Sequence, residues 1–205
     1  MVAFVFAAST ATFDVLISAG HEGRPASCSH FPQHRCNLGA RGEREWTPIV
    51  ADAATSILQR YGVSVARLPA DFAGHYRTGA AVFIHFDGSS PPCGSRASIG
   101  YHADADAAAA RTWRTLYGRY WPFGFQADNF TEGLRNYYAF RQVDAQDGSL
   151  VLELGEITCP AQHAWLAPRL RWEGALLAYF LSRQIGNPSV PYPGPYRGKA
   201  SHSPP

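Results

Sequence analysis

The sequence predicts a single α/β domain with a central, mostly parallel, twisted sheet of about five or six strands, flanked by helices on both faces. Short apolar runs rich in β-branched residues alternate along the chain with longer segments of helical periodicity. The length of 205 residues suits one medium-sized domain, and the 46% of hydrophobic and 17% of charged residues are ordinary globular usage. Alternating strands and helices are typical of a parallel sheet.

The first half of the chain contains three predicted strands and one helix. Residues 13–19 (FDVLISA) form a short apolar run that a glycine ends, which is typical of a buried strand. From Glu43 to Gly62, apolar residues recur at steps of three and four and predict an amphipathic helix. Residues 63–68 and 80–86 are predicted to be the second and third strands.

The second half continues the alternation. Residues 103–120 contain a run of alanines and predict a helix. Residues 121–136 are rich in aromatic residues and glycine and are predicted to be mostly loop. Residues 149–155 (SLVLELG) predict another buried strand, and residues 163–185 one long final helix.

These elements place the folded domain at residues 13–187. Residues 1–12 open with a short apolar stretch that no positive charge precedes, so they are either a remnant of an export signal or an extension before the first strand. Residues 188–205 are rich in proline, and we expect a flexible tail.

Composition and charge exclude two classes of partner. Lys and Arg total 18 against 16 Asp and Glu, and no basic cluster is interleaved with aromatic residues, so we expect no nucleic-acid partner. No uninterrupted apolar run reaches the roughly 18 residues that a membrane span needs.

The four cysteines leave two interpretations open. Cys28 and Cys36 lie in one loop, and Cys93 and Cys159 each follow a predicted strand end, so two disulfides can form if the strands are neighbours. Four reduced thiols in a cytosolic protein are the alternative. No CxxC spacing indicates a thiolate zinc site.

Two strands end in a histidine that a glycine soon follows, in the stretches ISAGHEG and VFIHFDG. Because ligands gather beyond the carboxyl ends of parallel strands, we expect His21 and His85 to lie at the same edge of the sheet. Hydrolytic zinc sites commonly use three nitrogen or oxygen ligands. For a histidine considered alone, an ordinary hydrogen-bonded residue is the more common interpretation.

Carboxylates supply the remaining candidates. Glu43 and Glu45 open the predicted helix, where either can be the third ligand or simply favour the helix dipole. Glu153 lies inside the apolar strand VLELG, where an ionised carboxylate is costly unless a cation or hydrogen-bond donors compensate. An edge strand that exposes Glu153 to solvent is the alternative.

Aromatic residues are dense between positions 113 and 138. At helical spacing they are more typical of a core than of a glycan-binding groove. We predict a core role for Trp113, Tyr117, Tyr120, Trp121, Phe123, Tyr137 and Tyr138.

In order, SAGHEG, a glutamate that opens a long helix, FIHFDG and VLELGEITCP resemble the four motifs of the amidase-3 family of zinc-dependent N-acetylmuramoyl-L-alanine amidases, which are bacterial autolysins and phage endolysins. The resemblance covers residues 14–186. Any one motif is weak, whereas four in the family's order are fairly specific.

The resemblance implies a role for each matching residue. His21, Glu43 and His85 match the ligands of one Zn²⁺, and Glu153 matches the catalytic glutamate. Glu43 is preferred to Glu45 because the family has a small polar residue four positions after the ligand, where Thr47 stands.

Other positions depart from the family pattern or extend it. Glu22 replaces the second glycine of the first motif, and Glu156 replaces a bulky apolar residue. We expect Asp87 and Glu22 to contact the substrate or support the ligands.

The function that the resemblance implies is cleavage of the amide between N-acetylmuramic acid and L-alanine of the peptidoglycan stem peptide. We expect a monomer that acts on muropeptides in the periplasm, after secretion, or as a phage lysin. Two alternative functions are compatible with the same residues and fold. One is a zinc peptidase that cuts within the stem peptide, and the other is a non-catalytic peptidoglycan-binding domain.

Overall fold

The computed structural model describes residues 11–28 and 36–198. Within these ranges no helix has both the length and the apolar character needed to cross a bilayer. The order of elements alternates strands with helices, as the sequence predicts.

Six strands form one mixed sheet in the order β2-β1-β3-β6-β4, with β5 paired to β3. All pairs are parallel except β4 with β6, which is antiparallel. The prediction of an α/β domain around a mostly parallel sheet is therefore confirmed. The strands are β1 (Ala11–Ala19), β2 (Val65–Leu68), β3 (Tyr76–Asp87), β4 (Ser98–Gly100), β5 (Val143–Ala145) and β6 (Ser149–Glu156).

The register of the central strands fixes which residues meet at the carboxyl edge of the sheet. In the parallel pair β1 and β3, Ala19 is opposite Ile84, and in β3 and β6, His85 is opposite Glu153. Residues in register on neighbouring strands point to the same face of a sheet. The side chains of His85 and Glu153 are therefore neighbours, and the residues just after β1 adjoin them.

The longer helices pack on one face of the sheet. Val15, Ile17 and Ala19 of β1 belong to the buried cluster on this face, whereas Leu16 belongs to the cluster on the other, as strand alternation requires. The helices are α1 (Glu43–Arg60), α2 (Ala107–Tyr117), α3 (Glu132–Arg135), α4 (Pro160–Leu166) and α5 (Leu170–Gln184).

The second face has a different cover. A smaller cluster there joins Leu16 and Phe83 of the sheet to Phe72, Leu134 and Ala139. The cover consists of the one-turn helix α3, a 3-10 turn at residues 138–141 and the loop around residue 72. Helical structure thus lies on both faces, but long helices lie on only one.

Several predicted boundaries differ from those observed. The predicted helix at 163–185 is two helices, α4 and α5, separated by a 3-10 turn that contains Pro168. Proline lacks an N–H and clashes with the preceding turn, which explains the interruption. The short elements α3, β4 and β5 were not predicted, because three or four residues carry too little periodicity.

The predicted tail is only partly outside the fold. Val190 is buried, and Trp172 of α5 donates from Nε1 to the carbonyl of Gly194 at 2.9 Å. Val190 and Gly194, which belong to the predicted flexible tail, therefore contact the folded domain. Residues 199–205 lie outside the described residues, as do residues 1–10 of the predicted N-terminal extension.

One carboxylate is buried in the core far from the carboxyl edge. Glu173 of α5 is fully buried, its Oε1 lies 2.9 Å from the hydroxyl of Tyr117, and its Oε2 has no partner among the described residues. The same hydroxyl lies 2.8 Å from the carbonyl of Leu154. One hydroxyl proton serves only one of these acceptors, so a protonated Glu173 satisfies both contacts. Burial raises the pKa of Glu173 to about 8.

We expect Glu173→Gln to raise the melting temperature, and to raise it more at about pH 9 than near pH 5. The folded protein, with a Glu173 pKa of about 8, binds more protons than the unfolded chain, so stability falls as pH rises between the two pKa values. Because glutamine does not titrate, the variant does not lose stability in this way as the pH rises. Calorimetry across this range tests the expectation, with the exposed Glu132→Gln as control. An equal shift at both pH values contradicts it.

Candidate active site

A cavity of about 650 Å³ opens at the carboxyl edge of the sheet. Its floor contains His21 after β1, His85 of β3 and Glu153 of β6. The loop before α1 forms one wall, and residues 131–137 form another. In parallel sheets this edge is where ligands bind, so the cavity is the candidate site.

His21, Glu43 and His85 form a compact group on the floor of the cavity. One potential ligand atom from each lies within 4.8 Å of the others. Glu43 Oε1 is 3.3 Å from His21 Nε2 and 2.9 Å from His85 Nδ1. The structure therefore brings together the three residues that the sequence predicts as ligands, and this group can hold a metal ion.

Two glycines make this approach possible. A Cβ atom on Gly20 would lie 2.4 Å from His85 Cε1, and one on Gly39 would lie 2.1 Å from Glu43 Oε2. Both distances are far below van der Waals contact, so side chains at these positions would displace the ligands. Thr47, one turn after Glu43, donates to the carbonyl of Gly20 at 2.7 Å and ties α1 to the end of β1.

The outward nitrogen of each imidazole also has an oxygen partner. His21 Nδ1 lies 3.0 Å from the carbonyl of Asn37, and His85 Nε2 lies 3.0 Å from the hydroxyl of Tyr137. In the tautomer whose outer nitrogens carry the proton, the inner nitrogens, which face Glu43, have free lone pairs that can coordinate a metal ion. In the other tautomer the inner nitrogens donate to Glu43 instead. In the first tautomer both histidines can thus coordinate a metal ion as neutral imidazoles.

Further contacts support the outer side of His21. Arg24 Nη1 donates to the Asn37 carbonyl at 2.8 Å and lies 2.9 Å from His21 Nδ1. Its guanidinium forms two bonds of 2.7 Å with Asp71, whose backbone N–H donates to the hydroxyl of Tyr138 at 2.9 Å. This chain of contacts holds His21 in place from behind.

The electrostatics favour an ionised Glu43 beside a neutral His85. Burial opposes ionisation of Glu43, but hydrogen bonds from His21 and His85 outweigh it and lower the pKa to about 2. The backbone N–H groups of Phe86 and Ala40 also donate to Glu43, at 3.1 and 2.8 Å. Burial lowers the pKa of His85, which favours its neutral form.

Glu153 faces the same cavity without a partner. Its Oε2 is buried and accepts no hydrogen bond from any described residue. Burial, followed by the charges of Glu43 and Asp87, raises the pKa of Glu153 well above its ordinary value. A cation beside Glu43 would oppose these effects, because an opposite charge favours the ionised form. The unpartnered oxygen therefore fits a site built for a divalent ion.

Asp87 lies at the end of β3 and lines the cavity. It accepts hydrogen bonds from the hydroxyl of Ser95 and from the N–H of Gly88, the latter at 2.7 Å. Burial nevertheless raises the pKa of its carboxyl. Its position permits the substrate or supporting role expected from the sequence.

Two other candidate carboxylates lie away from the group. Both oxygens of Glu22 accept from Arg67, at 2.7 and 3.0 Å, and Glu22 is not among the described residues that line the cavity. The Glu45 side chain is 59% exposed and pairs with Arg44 at 3.3 Å. Glu43, and not Glu45, therefore faces the two histidines. Glu22 does not line the cavity, so its position does not support the predicted contact with the substrate.

Tyr137 and Glu156 have site roles that the sequence did not indicate. Tyr137 was predicted to be core and instead both packs in the second core and lines the cavity. Glu156 is fully buried and accepts hydrogen bonds from four groups, which are Ser89 Oγ, Cys93 N, Ser95 N and Thr158 Oγ1. A charged residue at the end of an apolar strand was the only signal for this role.

Glu156 fixes the loop that leaves β3 and forms part of the cavity wall. Burial opposes its ionisation, but these hydrogen bonds prevail and lower the pKa of the carboxyl. The Cys93–Cys159 disulfide joins the same loop to the start of α4. Cys28 and Cys36 are also bonded, just before the wall formed by residues 37–41. All four cysteines are therefore paired, which decides between the two sequence interpretations.

No protein-family model matches this sequence, and a search of curated proteins finds no match. Solved structures match the fold. The catalytic domain of CwlV, an N-acetylmuramoyl-L-alanine amidase from Bacillus (Paenibacillus) polymyxa, is 15% identical with a TM-score of 0.59, covering 86% of this chain and 99% of that one.

Two further amidases give similar values. Ami1 from Mycobacterium smegmatis is 17% identical with a TM-score of 0.60, covering 87% of this chain and 99% of that one. AmiC2 from Nostoc punctiforme is 17% identical with a TM-score of 0.55, covering 86% and 97%. These structures share the fold of this chain, and their names are those of the enzyme class that the sequence motifs resemble.

We expect Glu156→Leu to destabilise the fold by about 3 kcal/mol, because it leaves the buried N–H group of Ser95, the part-buried N–H group of Cys93 and the hydroxyls of Ser89 and Thr158 without their acceptor. Glu156→Gln keeps one acceptor oxygen and should therefore lose less stability than Glu156→Leu. Urea unfolding with both disulfides intact measures the difference as a shift in midpoint at constant slope. Equal stability of the wild type and the leucine variant would refute the assigned role.

Proposed function

We propose that this protein is a zinc-dependent amidase that hydrolyses the bond between the lactyl group of N-acetylmuramic acid and L-alanine of the stem peptide. The observation that carries the proposal is the convergence of His21, Glu43 and His85 beside the unpartnered carboxylate of Glu153. The four motifs and the shared fold support the same enzyme class.

His21 Nε2, Glu43 Oε1 and His85 Nδ1 are the atoms that would hold one Zn²⁺. Two nitrogens and one carboxylate oxygen are a common ligand set for catalytic zinc. Zn²⁺ in such a site supplies Lewis acidity, which polarises the scissile carbonyl and lowers the pKa of the attacking water.

The protein's own groups carry the proton. Glu153 accepts the proton of the water that attacks the lactyl carbonyl carbon, since its Oε2 has no competing donor among the described residues. As the C–N bond breaks, Glu153 returns that proton to the departing nitrogen of L-alanine. The products are a lactyl carboxylate on the glycan and a stem peptide with a free amino terminus.

The disulfides support a location outside the cytoplasm. Two disulfides beside the cavity are expected to persist in an oxidising compartment, such as the periplasm or the extracellular medium. Peptidoglycan occurs in this setting. We therefore propose that the enzyme acts on the cell wall, either after export or as a phage lysin. We also expect the enzyme to be a monomer.

Glu43→Gln should lose zinc affinity by more than the roughly 10–100-fold that loss of an outer-shell partner causes. The matched control is Glu45→Gln, which should bind zinc like the wild type because the Glu45 carboxylate is exposed and paired with Arg44. Competition with a chromophoric chelator measures both affinities. Equal zinc affinity in the two variants would overturn the ligand assignment.

Glu153→Gln should retain zinc and the fold while turnover falls by about 10²–10⁴-fold, since glutamine cannot accept the proton. The assay digests purified sacculi and identifies products by mass spectrometry, with the exposed Glu45→Gln, which does not line the cavity, as control. Free stem peptides that begin with L-alanine support the amidase. Cuts within the peptide indicate a peptidase, and zinc-bound wild-type protein that releases nothing indicates a binding domain.

A further inference from the structure

Arg41 is a cation at the cavity that makes no polar contact with any described residue. It precedes α1 by two residues, its side chain is exposed, and it lines the cavity wall. Within residues 11–28 and 36–198 it makes no hydrogen bond, ion pair or cation–π contact. No other arginine or lysine of the described chain lines this cavity.

Neighbouring arginines have structural partners. Arg24 is held by Asp71, and Arg44 contacts Glu45 and the carbonyl of Arg24. Arg41 has no such partner among the described residues, although the carboxylates of Glu43, Asp87 and Glu153 line the same cavity. Glu43 is already engaged by two imidazoles, and Asp87 by Ser95 and Gly88. The Arg41 guanidinium therefore remains available to a ligand.

The chemistry of the substrate indicates which part reaches Arg41, an argument that rests on the proposed function. N-acetylated sugars carry no charge, and the lactyl carboxyl is consumed in the amide that is cut. The ionised carboxylates near the scissile bond therefore belong to the peptide. Guanidinium groups pair with carboxylates through two parallel hydrogen bonds.

The distance along the chain limits which peptide residue is involved. Arg41 is two residues from Glu43, so their Cα atoms are at most about 7.6 Å apart. One peptide residue spans about 3.3–3.6 Å when extended. A carboxylate close to the scissile bond is thus within reach, and L-alanine, the first residue, has none on its side chain.

We propose that Arg41 binds a carboxylate carried by the second residue of the stem peptide and makes the enzyme selective for peptides in which this group is ionised rather than amidated. The contact does not involve the reacting atoms, so it acts on substrate binding more than on the chemical step. Its effect should appear mainly in KM.

The test uses two synthetic muramoyl peptides that differ only at the second residue, which bears either a free carboxylate or its carboxamide. For the wild type we expect kcat/KM to favour the carboxylate by about 3- to 5-fold, a modest ratio because the pair is exposed to solvent. The preference should fall as salt is raised, because an exposed ion pair is screened.

Variants separate a specific contact from a general effect of charge. Arg41→Gln should abolish the preference, Arg41→Lys should retain part of it, and Arg41→Glu should reverse it. Arg60→Gln, at the far end of α1, removes the same charge from an exposed site and should keep the preference. A wild type without preference, or an Arg41→Gln variant that keeps it, would overturn the proposal.

A failure of the proposed function gives a different result. If zinc-loaded wild-type protein cuts neither peptide, the amidase assignment fails, and calorimetric titration with the same two peptides still tests Arg41. A tighter Kd for the carboxylate peptide that disappears in Arg41→Gln supports the contact without catalysis. Equal binding of both peptides, or no binding, rejects it.

Discussion

The sharing of one buried carboxylate by two imidazoles is the constraint on which the site depends. Glu43 is almost fully buried, and an unpaired charge in that position is strongly destabilising. Contacts with His21 and His85 and the N–H groups of Ala40 and Phe86 offset this effect. These groups come from three separate parts of the chain. The carboxylate can therefore be buried only when β1, β3 and the start of α1 are correctly assembled.

Rigid walls complete this arrangement, and polar contacts buried beneath them supply much of the rigidity. Glu156 binds the loop after β3 from below, while the Cys93–Cys159 disulfide fixes its far end. On the opposite side, Arg24 bridges Asp71 and the carbonyl behind His21. A reaction that requires reacting groups within hydrogen-bond distance benefits when loops are fixed before the substrate arrives.

Local patterns explain which features were predictable. His21 and His85 each end an apolar strand, and this pattern placed both at the carboxyl edge, where the structure has them. The contact of Tyr137 with His85 joins residues 52 positions apart, and no periodicity encodes such a pair. The choice between Glu43 and Glu45 likewise depended on which one faces the sheet. Sequence therefore indicates the edge and its candidates, while packing decides among them.

The balance of charge in the cavity connects the three candidate metal ligands to Glu153. Glu43, Asp87 and Glu153 lie close enough for the first two to raise the pKa of the third. Arg41, at the exposed wall, pairs with none of them. A divalent cation held by His21, Glu43 and His85 would offset the negative charge of Glu43, which repels the carboxylate of Glu153. It would therefore favour the ionised form of Glu153. One group of residues would thus both hold the ion and influence the protonation of Glu153, whose buried Oε2 has no hydrogen-bond partner among the described residues.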